Sequence, residues 1–166
     1  METIINDIDL DASIQYASRI LKLNSIKPQQ HAALKHLLRG RDVFVNLPTG
    51  YGKSTIFHGA PLCKDFLNKR LNPGKEHPRS IALVISPITA LIQDQVTYMY
   101  LNSVDIPAFH LQEVATSQAA IMNGNYSILF TSPEIATSQQ GKELIAELRM
   151  NICGIFVDEC HCIAKW

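Results

Sequence analysis

The stretch from Asp42 to Ser54, DVFVNLPTGYGKS, constrains this chain more than any other. Its first half is apolar and reads as a buried strand, and its second half is a loop containing Gly50 and Gly52 that passes straight into a helix beginning near Lys53. Glycine has no Cβ, so such a loop can curl with its backbone N–H groups turned inward, and the helix N-terminus adds positive potential. A triphosphate suits that cradle, with Lys53 reaching the β- and γ-phosphates and the Ser54 hydroxyl as a ligand for Mg²⁺. Leu47 stands where the strict G-x-x-x-x-G-K-[ST] template has its first glycine. The stretch therefore also admits a plainer reading, a glycine-containing turn between a strand and a helix.

About a hundred residues on, the apolar run Ile152 to Val157 stops abruptly at Asp158 and Glu159. In a parallel sheet the carboxyl ends of the strands line one edge, the edge that also holds a phosphate loop, so both acids are expected to face a bound nucleotide. Asp158 suits a metal ion. Glu159 suits the orientation and deprotonation of an attacking water, since phosphoryl transfer needs positioned charge more than covalent help. Taken alone, the pair also reads as a solvated strand end.

PTGYGKS (48–54), SPITALIQDQ (86–95), TSPE (131–134) and DECH (158–161) follow one another in the order of motifs I, Ia, Ib and II of superfamily-two helicases. The chain resembles the RecQ group of these enzymes in particular. IKPQQ (26–30) is similar to that group's adenine-reading motif 0, and DECHCIAKW (158–166) is similar to its DEAHC-x-x-x-W signature. The resemblance runs from about Leu23 to Trp166. It implies an α/β fold, a RecA-like P-loop domain with a mostly parallel sheet and helices on both faces. It further implies an ATP-dependent 3′-to-5′ DNA helicase that uses ATP and Mg²⁺, acts on single-stranded or forked DNA, and couples hydrolysis to unwinding in DNA repair and recombination.

Residue by residue, the resemblance assigns Thr49, Gly50, Gly52, Lys53 and Ser54 to the phosphates and Lys27 and Gln30 to the base. Ser54 and Asp158 fall to Mg²⁺, and Lys53, Asp158, Glu159 and His161 to catalysis, with His161 coupling the nucleotide site to the DNA-facing side. Ser86, Pro87, Gln93, Asp94 and Gln95 of motif Ia, with Ser132 and Glu134 of motif Ib, are assigned to DNA. The Gln30 amide can donate to N7 and accept from N6, a pattern that selects adenine over guanine. Leu23 and Ile26 are aliphatic where the group commonly has aromatic residues, which reduces stacking on the base, and a simple surface role for Gln30 is the alternative.

The chain has 166 residues, the size of one ordinary domain, with 15 basic and 15 acidic side chains and a formal charge of zero. It lacks the basic balance of a stand-alone nucleic-acid binder, so DNA contact is expected to be local. No apolar run approaches the roughly 20 residues of a membrane span, and Met1 to Asp11 is too acidic and too interrupted for a signal or transit peptide. The expected setting is intracellular, without a membrane partner, and nuclear if the source is eukaryotic. In that setting Cys63, Cys153, Cys160 and Cys162 are expected as packed thiols rather than disulfides. Cys153, Cys160, His161 and Cys162 bunch together but lack a C-x₂-C spacing, so zinc is the lesser reading.

The periodicity predicts a short amphipathic helix over Asp11–Lys22 with Asp11 as N-cap, then a helix from Pro28 to about Arg39 and another from Lys53 to about Leu67. Asn68–Ser80 reads as a surface loop. Strands are expected at Ile81–Ser86, Ile106–His110, Tyr126–Thr131 and Ile152–Val157, with helices starting at Pro87 and spanning Glu113–Met122. Residues 1–22 form a helical lead-in to a RecA-like ATP-binding domain over 23–166. The chain is expected to be a fragment, or a truncated relative, that lacks the second RecA-like domain and with it the arginine finger, a group worth on the order of 10³ to 10⁵ in rate in related NTPases. The chain by itself is therefore expected to bind ATP but to hydrolyse and unwind poorly, and to need such a domain in cis. Two rival readings are a small P-loop kinase, for which no Arg-rich lid is visible, and a degenerate interaction domain, against which the intact Lys53, Ser54, Asp158 and Glu159 argue.

Overall fold

A computed structural model describes residues 5–101 and 106–160, and the chain divides into two compact units, Met1–Ser80 and Ile81–Trp166. Among the described residues no helix is long and apolar enough to cross a membrane.

The first unit is helical: α1 (Asp7–Ile20), α2 (Pro28–Leu38) and α3 (Ser54–Leu71). The expected N-cap at Asp11 is corrected to Asn6, whose extended backbone lets its side chain accept the Asp9 N–H at 2.8 Å. Asp11 lies one turn inside α1, where its carboxylate meets Lys35 at 2.9 Å and His31 at 3.0 Å. Asp7 meets Lys35 at 3.0 Å and Arg39 at 2.6 Å. The hydrogen bond from Lys35, then that from Arg39, holds the Asp7 carboxyl below its ordinary range. At the other end of α3, Arg70 Nε donates to Asp9 at 2.5 Å.

Leu10, Ile14 and Ala17 recur at helical spacing and are buried, as are Leu34 of α2 and Ile56, Phe57, Ala60, Cys63 and Leu67 of α3. Each such aliphatic side chain contributes about 1.5–3 kcal/mol when fully buried. Gly59 lets α3 come close to its neighbours, since a Cβ there would lie 3.5 Å from Leu34 and 3.9 Å from Ala17. Pro61 stands inside α3 and has no N–H to offer the preceding turn. Cys63 is a packed thiol, its Sγ 3.5 Å from the Ser13 carbonyl; burial pushes it up to about 12. Helix α3 runs on past the expected Leu67 to Leu71, with Lys69 and Arg70 in its last turn, where cations favour the helix dipole.

The strand expected at the start of the Asp42–Ser54 stretch is corrected: residues 41–48 form no regular strand, and Val43 and Phe44 are 38% and 80% exposed. A strand exists through its partner. The described part of the first unit contains only helices, so the backbone there has no ladder to join.

The second unit is a four-stranded parallel sheet with helices: β1 (Ile81–Ile85), α4 (Thr89–Leu101), β2 (Ala108–Leu111), α5 (Val114–Asn123), β3 (Ile128–Thr131), α6 (Pro133–Thr137), α7 (Gln139–Leu148) and β4 (Ile152–Val157). The strand order is β2-β3-β1-β4, all pairs parallel. Parallel neighbours need crossovers, which is why strand and helix alternate along this half. Leu83, Leu129 and Leu111 face Val114 and Ile121 of α5 and Leu144 and Leu148 of α7 in one apolar cluster. The opposite face carries Ala82, Val84, Ile128 and Phe130, all buried. Among the described residues β4 pairs only with β1, and it is the least covered strand, with Ile155 57% and Val157 41% exposed.

Two close approaches shape the α6–α7 corner. Ser138 caps α7 by accepting the Gly141 N–H at 3.0 Å. A Cβ on Gly141 would fall 1.9 Å from the Ile135 carbonyl oxygen, so this position accepts only glycine.

Candidate functional site

In the first unit the loop before α3 turns on Tyr51, whose N–H donates to the Pro48 carbonyl at 3.1 Å. Gly50 and Gly52 take φ of +77° and +86°, the left-handed region in which an L side chain is strained. Around Gly50 a Cβ would meet nothing within 4 Å, whereas at Gly52 it would meet Gln30 Nε2 at 2.8 Å and Thr55 Oγ1 at 3.4 Å. Gly50 is thus required by backbone conformation alone, and Gly52 by conformation and space together.

Helix α3 begins at Ser54, directly after Lys53, and its first turn is tightened by Thr55 N–H to Gly52 O and Ile56 N–H to Lys53 O, both 3.1 Å. Lys53 curls back over the loop and donates to the Leu47 carbonyl at 3.1 Å. Among the described residues that neutral carbonyl is its one acceptor, which satisfies an ammonium poorly and leaves the charge available to an anion at the helix start. Thr49 is exposed beside it, and Lys53 and Ser54 are half-buried.

The IKPQQ segment lies against this loop. Pro28 opens α2, and Gln30, 3% exposed, reaches back to accept the Lys27 N–H at 2.9 Å, in the manner of a capping box. Its amide nitrogen donates to Gly52 O at 2.8 Å and to Tyr51 O at 3.2 Å. Lys27 Nζ also donates to Tyr51 O, at 2.9 Å, and stands 3.9 Å from the Tyr51 ring centroid. The Tyr51 hydroxyl donates to Gln29 Oε1 at 2.8 Å. Lys27 and Gln30, singled out from the sequence, are thus joined to the loop, but with both amide hydrogens of Gln30 on loop carbonyls the expected donation to adenine N7 is not open while these bonds hold. Tyr51 falls on a position that the G-x-x-x-x-G-K-[ST] template leaves unspecified, and Gln29 stands beside the glutamine that the base-reading assignment takes, so neither is singled out by the sequence. The signal that could have found Tyr51 is an aromatic residue flanked by two glycines in a chain that lacks the usual aromatics at Leu23 and Ile26.

In the second unit the register brings the carboxyl ends of the strands level: Ile85 pairs with Thr131 and with Val157, and Leu111 with Thr131. The residues that follow form one edge, where Ser86 N–H donates to Thr131 O at 3.0 Å and Asp158 N–H to Ile85 O at 2.9 Å. Asp158 accepts the Glu159 N–H on its own carboxylate at 3.0 Å, and Glu159 takes a φ of +52°. A non-glycine residue in that region carries strain of about 1 kcal/mol or more, a feature common at functional sites. His161 lies outside the described residues, as do Cys162 and Trp166.

Ser86 is 2% exposed, and its hydroxyl accepts the Ile88 N–H at 3.5 Å, so it shapes the turn into α4. Pro87 is half-buried, Gln93 and Asp94 are exposed on α4, and Gln95 is half-buried. Ser132 caps α6 by accepting the Ile135 N–H at 3.4 Å. A hydrogen bond from Ser132, followed by one from its own backbone, holds the exposed Glu134 below the usual carboxylate range.

The family profile described as DEAD/DEAH box helicase matches residues 27–166, which takes in the IKPQQ segment, the phosphate loop and the acidic pair. The chain belongs to the DEAD/DEAH box helicase family. Its relatives within this helicase family are of the RecQ type. It is 33% identical over 154 residues to ATP-dependent helicase SGS1 of Saccharomyces cerevisiae, covering 89% of this chain and 10% of that protein. It is 31% identical over 142 residues to ATP-dependent helicase wrn-1 of Caenorhabditis elegans, covering 84% and 12%. With ATP-dependent DNA helicase RecQ of Haemophilus influenzae it shares 26% over 163 residues, 96% of this chain and 24% of the other. The chain therefore spans between a tenth and a quarter of the length of these curated relatives.

Proposed function

We propose that this chain is the ATP- and DNA-binding part of a RecQ-like 3′-to-5′ DNA helicase that couples ATP hydrolysis to strand separation in DNA repair and recombination. The observation that supports this most is the bond from Gln30 to the Gly52 carbonyl at 2.8 Å. It joins the segment read as adenine-binding to the loop read as phosphate-binding, in a family whose members are named as ATP-dependent helicases.

In this reading Thr49, Gly50 and Gly52 supply the loop backbone that faces the phosphates, and Lys53 brings its ammonium to the β- and γ-phosphates. Ser54 and Asp158 would hold Mg²⁺, which would neutralise phosphate charge. Glu159 orients the attacking water and takes its proton, and His161 links the nucleotide to the DNA-facing side. Lys27 and Gln30 hold the base. A second RecA-like domain in the same polypeptide supplies the transition-state arginine.

DNA, single-stranded or forked, is assigned to the loop at Ser86 and Pro87, to Gln93, Asp94 and Gln95 of α4, and to Ser132 and Glu134. None of these side chains is basic, and the acidic Asp94 and Glu134 work against phosphate binding. The backbone is then gripped through amides, hydroxyls and N–H groups, and affinity from this unit alone is low.

Calorimetric titration of Mg·ATP and Mg·GTP into the wild type and Gln30→Ala tests the reading. ATP preference in the wild type, erased in Gln30→Ala, is expected. Equal affinity for both nucleotides in the wild type would mean that the base is not read here, and no binding of either would remove the ATP site altogether.

A further inference from the structure

The phosphate-loop motif gives Tyr51 no role, yet the segment before α2 closes on it from several directions. Lys27 Nζ holds its carbonyl at 2.9 Å and covers its ring at 3.9 Å. Gln30 Nε2 holds the same carbonyl at 3.2 Å, and the phenol donates to Gln29 Oε1 at 2.8 Å. Tyr51 itself sits between two glycines at φ of +77° and +86°. A residue between two such pivots has little local restraint, and a loop that samples many conformers must lose that freedom when it binds phosphate.

We propose that Tyr51 is a positioning residue for the nucleotide, a lever through which Lys27, Gln29 and Gln30 set the curl of the phosphate loop. The proposal rests on the ATP-site reading above and adds to it a residue outside the motif. The Gln30 amide shows how the two functions are joined. Its nitrogen is engaged on the carbonyls of Tyr51 and Gly52, and its oxygen accepts from the Lys27 N–H at 2.9 Å. One acceptor lone pair remains on that oxygen. The adenine 6-amino group can donate to it while the loop stays fixed, whereas a guanine O6 finds no donor unless a bond to the loop is released. Base identity and loop position are read by one amide, and Tyr51 is what that amide and its neighbours hold.

The test uses Tyr51→Phe, Gln29→Ala and the double variant in the 166-residue chain, with Lys53→Ala as control. Mg·ATP affinity is measured by calorimetry, and loop mobility by amide hydrogen exchange over residues 49–54. Each single variant is expected to weaken Mg·ATP about fivefold, the worth of one net hydrogen bond, and to speed exchange in the loop. The double variant should be no weaker than either single one, because both act through one bond. Thermal stability should be unchanged, which separates positioning from a general structural role. Wild-type affinity and exchange in both single variants, or losses that simply add, would overturn the proposal while Lys53→Ala still upholds the ATP site. Absence of Mg·ATP binding by the wild type would overturn the site and the lever together.

Discussion

Gln30 Nε2 lies 2.8 Å from the carbonyl oxygen of Gly52, across 22 residues of sequence. The approach is possible because Gly52 has no side chain. Alanine there would bring its Cβ to 2.8 Å from the same nitrogen, on a backbone held at φ +86°. Gly52→Ala is therefore expected to lower stability by about 1–2 kcal/mol and Mg·ATP affinity by at least about tenfold. Gly50→Ala meets open space and should show the backbone strain without the displaced Gln30. Thermal melts and calorimetry on the two variants separate these terms, and identical nucleotide affinities would refute the close-approach argument.

Lys53 donates to one carbonyl, that of Leu47 at 3.1 Å. Removing the ammonium should leave the fold intact, while Mg·ATP binding loses a charge-assisted contact of about 1.5–3 kcal/mol, roughly 10- to 150-fold in affinity. Calorimetry on Lys53→Ala provides the check. An unchanged dissociation constant would end the phosphate-cradle assignment.

Glu159→Gln keeps the size of the side chain and the N–H that donates to Asp158 at 3.0 Å, but removes the carboxylate proposed as the base. In a chimera carrying the second RecA-like domain of a full-length relative, DNA-stimulated phosphate release should fall by about 10² to 10⁴, with Mg·ATP binding retained. Turnover equal to that of the unmutated chimera would assign the base to another residue.

At the α6–α7 corner, Gly141→Ala drives a Cβ into the Ile135 carbonyl, 1.9 Å away, and backbone cannot yield as a flexible side chain does. Destabilisation of about 2–4 kcal/mol is expected. Gly74→Ala, which meets nothing within 4 Å though its φ is +84°, should show only the smaller backbone effect. Urea midpoints decide between them, and similar midpoints would count against the packing seen at this corner.

Burial pushes His58 down to about 4 from an ordinary 6.5, and its Nε2 is buried without a hydrogen-bond partner among the described residues. The folded chain therefore holds His58 neutral at a pH where the unfolded chain already binds a proton. The stabilising contribution is full above about 6.5 and falls as pH drops from there to about 4; below that it changes no further. His58→Gln, neutral throughout, should flatten this limb. Denaturation midpoints measured between pH 8 and pH 4.5 give the answer, and parallel pH slopes for the two proteins would show that His58 is not the titrating group.

Much of the fold and part of the site can be read from residues close together in the chain. The runs at Ile81–Ile85, Ile128–Thr131 and Ile152–Val157 are apolar enough to announce strands, the first two buried and the third partly exposed, and the helices between them follow from parallel pairing. Leu10, Ile14 and Ala17 announce a helix face through their spacing. The glycines at 50 and 52 are dictated by a turn that needs positive φ, and a lysine and a serine at the start of a long helix announce an anion site. These signals act over a few residues, through dihedral preference and side-chain period, so the sequence carries them by itself.

The tertiary structure decided what depends on a partner from elsewhere. Residues 42–47 are as apolar as a strand, but a strand needs a neighbour to accept its backbone bonds, and among the described residues of the first unit the regular elements are all helices. Asp11 has the chemistry of an N-cap, yet Lys35 and His31 claim its carboxylate and Asn6 caps the helix instead. Tyr51 looks like a filler between glycines until Lys27, Gln29 and Gln30, more than twenty residues earlier, are brought onto it. Local pattern specifies which backbone conformations are cheap; which distant side chain meets which carbonyl is settled only when the packed helices bring them within hydrogen-bond reach.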